Sequence, residues 1–183
     1  EKDATVDVGS GKSIHAAGVR RHQMLVNTTS NRWLNSTPEL RAKILAHEYF
    51  HILQNELTTL EGGHRGGYWL WEGAAEFFAY KVLENAGMMS HDQARAYHIS
   101  NAKNLPSLRD LESEQALLST PDASGYSLGL LAVELLATDH GIGSLRDYFG
   151  NLATSNWFGA FQEAFGESVD SFYKRFEEHR KSF

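Results

Sequence analysis

The stretch ILAHEYFHILQ, residues 44–54, sets two histidines and a glutamate into what would otherwise be a plain apolar helix. Burying such groups without partners costs free energy, so their presence needs a chemical reason. His47, Glu48 and His51 form the pattern H-E-x-x-H. On a helix, positions i and i+4 differ by about 40° around the axis and about 6 Å along it. Both imidazoles can therefore converge on one point.

The helix that carries this pattern has a clear predicted start. The segment NSTPEL, residues 35–40, offers Ser36 or Thr37 as the capping residue, a proline for the first turn and an acid that completes an S-x-x-E box. We expect the helix to run to about Leu57, with Leu40 on the same apolar stripe as both histidines. A capped helix with this stripe disfavours the alternative that the pattern matched by chance.

Two imidazoles at this spacing suit a tetrahedral zinc ion, which binds nitrogen at about 2.0–2.1 Å. Glu48 lies one residue beyond the first histidine and is placed to act as general base. The segment WLWEGAAEFF, residues 69–78, offers Glu72 as a third ligand, since an acid among large apolar residues is costly to bury unless something binds it. Glu76, one turn later, can accept the free ring N–H of a ligand histidine. The sequence thus predicts one Zn²⁺ ion on the two histidines and Glu72.

Composition limits the other classes of function. The net charge of −6, with no block rich in Lys or Arg, argues against a surface for nucleic acid or anionic membranes. No apolar run reaches the roughly 18 residues that a membrane span needs. The chain has no cysteine, which excludes disulfides and thiolate ligands, so that a metal must be held by His, Asp or Glu.

We expect a single domain over residues 1–183, of class α+β but mostly α. Residues 1–35 hold the strand-like segments ATVDV and HQMLVNTT and predict a small N-terminal sheet. Residues 36–87 predict the zinc-binding helices, and residues 88–183 a helical C-terminal subdomain. The glycine-rich segment at residues 61–68, beside the third ligand, is a candidate lid.

H-E-x-x-H followed by W-L-x-E-G-x-A-E resembles the gluzincin metallopeptidases, the clan of thermolysin and the zinc aminopeptidases, and more narrowly the bacterial peptidase MA-like domains. The similarity covers roughly residues 18–180. It implies a zincin-like fold, one Zn²⁺ on the two motif histidines and Glu72, and Glu48 as the base in peptide hydrolysis. It also implies Glu76 as the carboxylate that orients the first histidine. The G-x-M-E-N signature of zinc aminopeptidases is absent, which favours an endopeptidase.

Such a hydrolase also needs a donor to the developing oxyanion. Tyr126, which begins YSLGLLAVELL, resembles the tyrosine of the family at that position and is the candidate for this role. The alternative is an aromatic side chain that packs at a helix start. Four further residues are weaker candidates for the donor: His64, Tyr97, His98 and His140.

The expected function is therefore that of a zinc metallopeptidase with a peptide or protein substrate. Two alternatives keep the metal site: a catalytically inactive zincin-fold domain that binds a partner, and a zinc hydrolase of non-peptide amides or esters. A third is a domain that needs a missing N-terminal part to complete its cleft. The polar opening EKDATVDVGS shows no signal peptide and is interpreted as a processed terminus or a cut domain, with a secreted or extracytoplasmic location as the expectation. The sequence indicates no oligomeric state.

Overall fold

The computed structural model describes residues 8–10, 24–58 and 66–183. Its elements in chain order are β1 (Val8–Ser10), β2 (Met24–Val26), α1 (Asn31–Leu34), α2 (Pro38–Thr58), α3 (Tyr68–Asn85), α4 (His91–Ala102), α5 (Glu114–Leu118), α6 (Gly125–His140), α7 (Gly143–Asn151), α8 (Trp157–Phe165) and α9 (Val169–Arg180). Short 3-10 helices precede α5 and α6, at Leu108–Leu111 and Pro121–Ala123. Within these residues no single helix is long and apolar enough to cross a membrane; only α6 and α7 together meet that length and composition, and they meet at a bend of 107°.

The predicted α+β class is wrong, because the described part of the chain is all-α. β1 and β2 pair antiparallel over three residues each, with Val8 opposite Val26. A lone pair of strands this short forms no layer and is not independently stable. Of the predicted strand at residues 4–8 only Val8 is described, and residues 61–65 of the predicted lid at residues 61–68 also lie outside the described residues. The β-branched pattern near the N-terminus therefore does not indicate a sheet, and helices complete the core.

Helix α3 is the centre of the core. It is buried on nearly all sides, as expected for an apolar helix packed between others. Trp69 stacks on Phe172 of α9 with the ring centroids 5.7 Å apart, and its indole N–H donates to the Tyr173 hydroxyl at 3.0 Å. Trp71 meets Phe149 of α7 edge to face at 5.7 Å. These contacts fix the backbone that carries the predicted third ligand.

Helices α3 and α6 touch through their backbones. A Cβ atom on Gly73 would lie 2.4 Å from the carbonyl carbon of Gly129, and one on Gly129 would lie 2.5 Å from the carbonyl oxygen of Trp69. Such distances leave no room for a side chain at either position. Because Glu72 precedes Gly73 and Tyr126 lies one turn before Gly129, this crossing sets how closely the two functional candidates approach each other.

Substituting either glycine by alanine tests this contact. Gly73→Ala and Gly129→Ala should each lower the free energy of unfolding by about 1–3 kcal/mol, because the added methyl group forces the helices apart. Urea denaturation measures the change. Gly150→Ala on α7 is the matched control, since nothing lies within 4 Å of a Cβ atom there. If Gly73→Ala were as stable as the control, the two helices would not depend on this close approach.

The face that α2 buries is polar. Thr37 is the capping residue of the two predicted, since its hydroxyl accepts the N–H of Leu40 at 3.2 Å. The predicted apolar stripe is wrong at its start, because Leu40 is 40% exposed. The buried side chains of α2 are all polar: His47, His51, Gln54 and Thr58. Phe50 and Leu57 are half-buried and pack against the core, so that α2 is held by apolar contacts together with the polar partners of its buried side chains.

A buried histidine also joins α4 to α6. The Nδ1 atom of His98 lies 2.9 Å from the hydroxyl oxygen of Ser127, and the ring meets that of Tyr80 edge to face at 4.4 Å. Among the described residues, Nε2 of His98 is the single buried side-chain nitrogen or oxygen atom without a hydrogen-bond partner. Burial lowers the pKa of His98 to about 4, so the ring is neutral at pH 7.

This lowered pKa predicts a loss of stability in acid. In the unfolded chain the pKa of a histidine is about 6.5, so between pH 6.5 and 4 the unfolded state binds a proton that the folded state does not. The stability due to neutral His98 is thus present above pH 6.5 and is lost as the pH falls towards 4. From pH 7 to pH 4 the free energy of unfolding should drop by about 3 kcal/mol more in the wild type than in His98→Asn. Equal drops in urea titrations of the two proteins would contradict this assignment.

Candidate metal centre

Three side chains from α2 and α3 bring their polar atoms to one point. The Nε2 atom of His47 lies 3.1 Å from Nε2 of His51 and 3.1 Å from Oε2 of Glu72. The remaining pair, His51 Nε2 and Glu72 Oε2, is 3.4 Å apart. A tetrahedral zinc ion with bonds of about 2.0–2.1 Å holds its ligand atoms roughly 3.3–3.4 Å apart. The three atoms therefore form a triangle of the size that one zinc ion requires.

The outer nitrogen of each ring determines where the inner lone pair points. Nδ1 of His47 lies 3.0 Å from Oε2 of Glu76, and since a carboxylate only accepts, Nδ1 carries the proton. Nδ1 of His51 lies 2.6 Å from Oε1 of Gln54, whose amide N–H donates to the backbone oxygen of Trp71 at 2.8 Å. That second bond assigns the orientation of the amide. Both rings, when neutral, therefore direct a lone pair from Nε2 towards the same point.

Two imidazole lone pairs and a carboxylate then face one another in a buried site. This arrangement is unfavourable unless a cation lies among them. Without a metal, a proton on His47 supplies the positive charge. Burial lowers the pKa of His47, but the hydrogen bonds and charges of Glu72 and Glu76 outweigh this effect and raise that pKa to about 9. A proton bonds well to one partner, whereas a divalent ion bonds to all three atoms. The donor set of two imidazoles and one carboxylate fits zinc.

Both carboxylates of the site are ionised at neutral pH. Burial raises the pKa of Glu72, but its contacts with the rings of His47 and His51 lower it to about 2. Burial likewise raises the pKa of Glu76, and the charge of Lys43 with the hydrogen bond from His47 lowers it to about 2. The Nζ atom of Lys43 lies 2.6 Å from Oε1 of Glu76. Glu72 is therefore already ionised, as a metal ligand must be, and Glu76 is ionised where it accepts the N–H of His47.

The predicted base and the predicted oxyanion donor lie beside the cluster. Glu48 is half-buried and follows His47 on α2, about 100° further around the helix. The ring centroid of Tyr126 lies 6.0 Å from that of His47. Burial, and then the charges of Glu72, Glu76 and Glu48, raise the pKa of Tyr126 well above its usual value. Tyr126 thus keeps its proton at neutral pH and can donate a hydrogen bond.

The weaker candidates for the oxyanion donor have other surroundings. His98 is buried against Ser127, and Tyr97 is 56% exposed with its ring against that of His98. His140 is the last residue of α6, whereas Tyr126 lies in its first turn. His64 lies outside the described residues. Among the candidates that the structure describes, Tyr126 is the one whose ring lies beside that of a predicted ligand.

Sequence reasoning missed two residues of the site, Lys43 and Gln54. Lys43 lies four residues before His47, and Gln54 lies three residues after His51, so all four share one face of α2. The signal was therefore present, as polar residues at positions where an amphipathic helix would bury apolar ones.

Comparison of the chain with protein-family models, with curated proteins and with solved structures gives no match. The likeness to the gluzincins therefore depends on the motif residues themselves.

The raised pKa of His47 predicts that zinc binding is linked to pH. At pH 7 zinc must displace the proton from His47, whereas Glu72, with a pKa of about 2, has no proton to lose. The apparent affinity should therefore rise by up to about tenfold per pH unit from pH 7 to pH 9 and level off above. Titration calorimetry in two buffers of different ionisation enthalpy counts the protons released.

The expected stoichiometry is one zinc ion per chain, with about one proton released at pH 7. His51→Ala removes one of the three ligands and should weaken this binding strongly, whereas zinc at adventitious surface sites should be unaffected by it. An affinity that does not change between pH 7 and pH 9 would contradict the assignment of the proton to His47.

Proposed function

We propose that this chain is a zinc-dependent metallopeptidase. The observation that carries the proposal is the convergence of the ligand atoms of His47, His51 and Glu72, with Glu48 one residue beyond the first of them. Lone pairs that meet in a buried site have little structural use, since an apolar contact would pack α2 against α3 at lower cost. The likeness of the motif pair to the gluzincins supports a peptide as the substrate.

His47, His51 and Glu72 would hold the ion. Bound zinc supplies a Lewis acid that polarises the substrate carbonyl and acidifies the attacking water. The amide of Gln54 and the carboxylate of Glu76 hold the outer ring N–H groups, so that both Nε2 atoms keep facing inward.

Glu48 and Tyr126 would carry the proton transfers. The carboxylate of Glu48 accepts a proton from the attacking water and then gives it to the nitrogen of the leaving amine. The hydroxyl of Tyr126 donates to the oxygen of the substrate carbonyl as negative charge develops there. Both are half-buried, which leaves each side chain with access to a substrate. We further propose endopeptidase action, which the lack of a G-x-M-E-N segment supports.

Two substitutions separate the chemistry from metal binding. Glu48→Gln should retain zinc and lower the turnover rate by about 10²–10⁴-fold, because the amide cannot accept the proton. Tyr126→Phe should lower kcat by about 10²-fold with little change in zinc affinity, because it removes one donor to the oxyanion. The assay is mass-spectrometric detection of zinc-dependent cleavage in a mixed library of peptides blocked at both termini.

Tyr97→Phe is the matched control for the tyrosine, because Tyr97 is exposed and lies in α4. Undiminished turnover in Glu48→Gln would remove the base assignment, and undiminished turnover in Tyr126→Phe would move the oxyanion role elsewhere. A wild-type protein that binds zinc but cleaves no peptide in the library would favour a binding domain or a hydrolase of non-peptide substrates.

A further inference from the structure

Lys43 stands at the outer end of a buried chain of contacts that leads to a predicted ligand. Its Nζ atom lies 2.6 Å from Oε1 of Glu76, and Oε2 of the same carboxylate lies 3.0 Å from Nδ1 of His47. The side chain of Glu76 is 5% exposed and that of Lys43 is 24% exposed. The ammonium also lies over the ring of Tyr80, 5.8 Å from its centroid. One carboxylate is thus shared between a lysine and an imidazole.

The two predicted ligand histidines are supported in different ways. His51 donates to the neutral amide of Gln54, whose other end is fixed by its bond to the backbone oxygen of Trp71. His47 donates to the carboxylate of Glu76, and the group that binds the second oxygen of that carboxylate is Lys43. A buried carboxylate that loses such a partner is left with an unbalanced charge, which is strongly unfavourable. It would no longer hold the imidazole in one orientation.

We propose that Lys43 is a positioning residue of the metal centre. It fixes the carboxylate of Glu76, which in turn holds the ring of His47 with Nε2 facing the ion. This inference rests on the zinc-binding function proposed above and adds a residue outside the H-E-x-x-H and W-L-x-E-G-x-A-E motifs. The Lys43 side chain therefore affects metal affinity through Glu76, a carboxylate that is not itself a predicted ligand.

Two effects of Lys43 on zinc binding have opposite signs. Its positive charge repels a divalent ion, so that removal of the charge alone would tighten binding. Its bond to Glu76 positions a ligand, so that removal of the bond weakens binding. The ammonium is partly exposed and screened by solvent, whereas the bond from Glu76 to His47 is buried. We therefore expect the loss of positioning to outweigh the loss of repulsion, so that removal of Lys43 weakens zinc binding. Tighter zinc binding would show instead that repulsion dominates.

The test is zinc affinity measured by competition with a chromophoric chelator. Lys43→Met should weaken binding by about tenfold, and Glu76→Gln by about 10–100-fold. Lys43→Arg keeps a charged donor and should restore binding to within about threefold of the wild type. The double variant Lys43→Met/Glu76→Gln should bind zinc as Glu76→Gln does, because Lys43 acts through Glu76.

Lys81→Met is the matched control. Lys81 also pairs with a glutamate on α3, Glu84, at 2.7 Å and also lies over an aromatic ring, that of Phe77, at 5.7 Å. Its removal should leave zinc affinity unchanged.

Three results would overturn the inference: a Lys43→Met variant that binds zinc as well as or better than the wild type, a Lys43→Arg variant as weak as Lys43→Met, or effects of Lys43→Met and Glu76→Gln that add in full. If the wild type binds zinc and Lys43→Met binds it equally well, this inference alone is overturned. A wild-type protein that binds no zinc would overturn the proposed function as well.

Discussion

Helices α2 and α3 bring three electron-pair donors, on His47, His51 and Glu72, within 3.4 Å of one another in a buried site. Such donors repel one another unless a cation, either a proton or a metal ion, lies between them. The packing of α2 against α3 has to meet this constraint. The fully buried side chains of α2 are all polar. Phe50 adds an apolar contact, since its ring lies 4.9 Å from that of Phe78 on α3. Each buried polar group of α2 has a partner on α3 or within α2, so that hydrogen bonds and ion pairs join this apolar contact in holding the two helices together.

Helix α3 can meet this demand because its own position is fixed by other contacts. Its tryptophans pack against α7 and α9, and Gly73 lets its backbone touch that of α6. Glu72 and Glu76 are one turn apart on this rigid helix, so that both can reach His47 from opposite ring nitrogens. The same crossing brings Tyr126 to the cluster. The apolar core thus fixes the positions of Glu72 and Glu76 on α3, and the histidines of α2 bind to these carboxylates.

The local sequence predicted most of the helices, and which three side chains converge, better than the contacts between the helices. The H-E-x-x-H spacing and the acid at Glu72 follow from helix geometry and from the cost of burying charge, and both are local properties. Gln54 and Lys43 were missed because their roles depend on α3, which a single-helix pattern does not contain. Leu40 was placed on the apolar stripe from the pattern of α2 alone, whereas its exposure depends on how α2 packs against its neighbours. The class was wrong because β-branched residues near the N-terminus have strand propensity, while the described strands are three residues long.

The proposed function requires that His47, His51 and Glu72 bind one zinc ion together. X-ray absorption at the zinc K-edge of stoichiometrically loaded protein reports the ligands of the bound ion. We expect ligand atoms at about 2.0–2.1 Å and the outer-shell scattering of two imidazole rings, with one ring lost in zinc-loaded His51→Ala. A spectrum without imidazole scattering, or one that is unchanged in His51→Ala, would show that zinc binds elsewhere and would contradict the account.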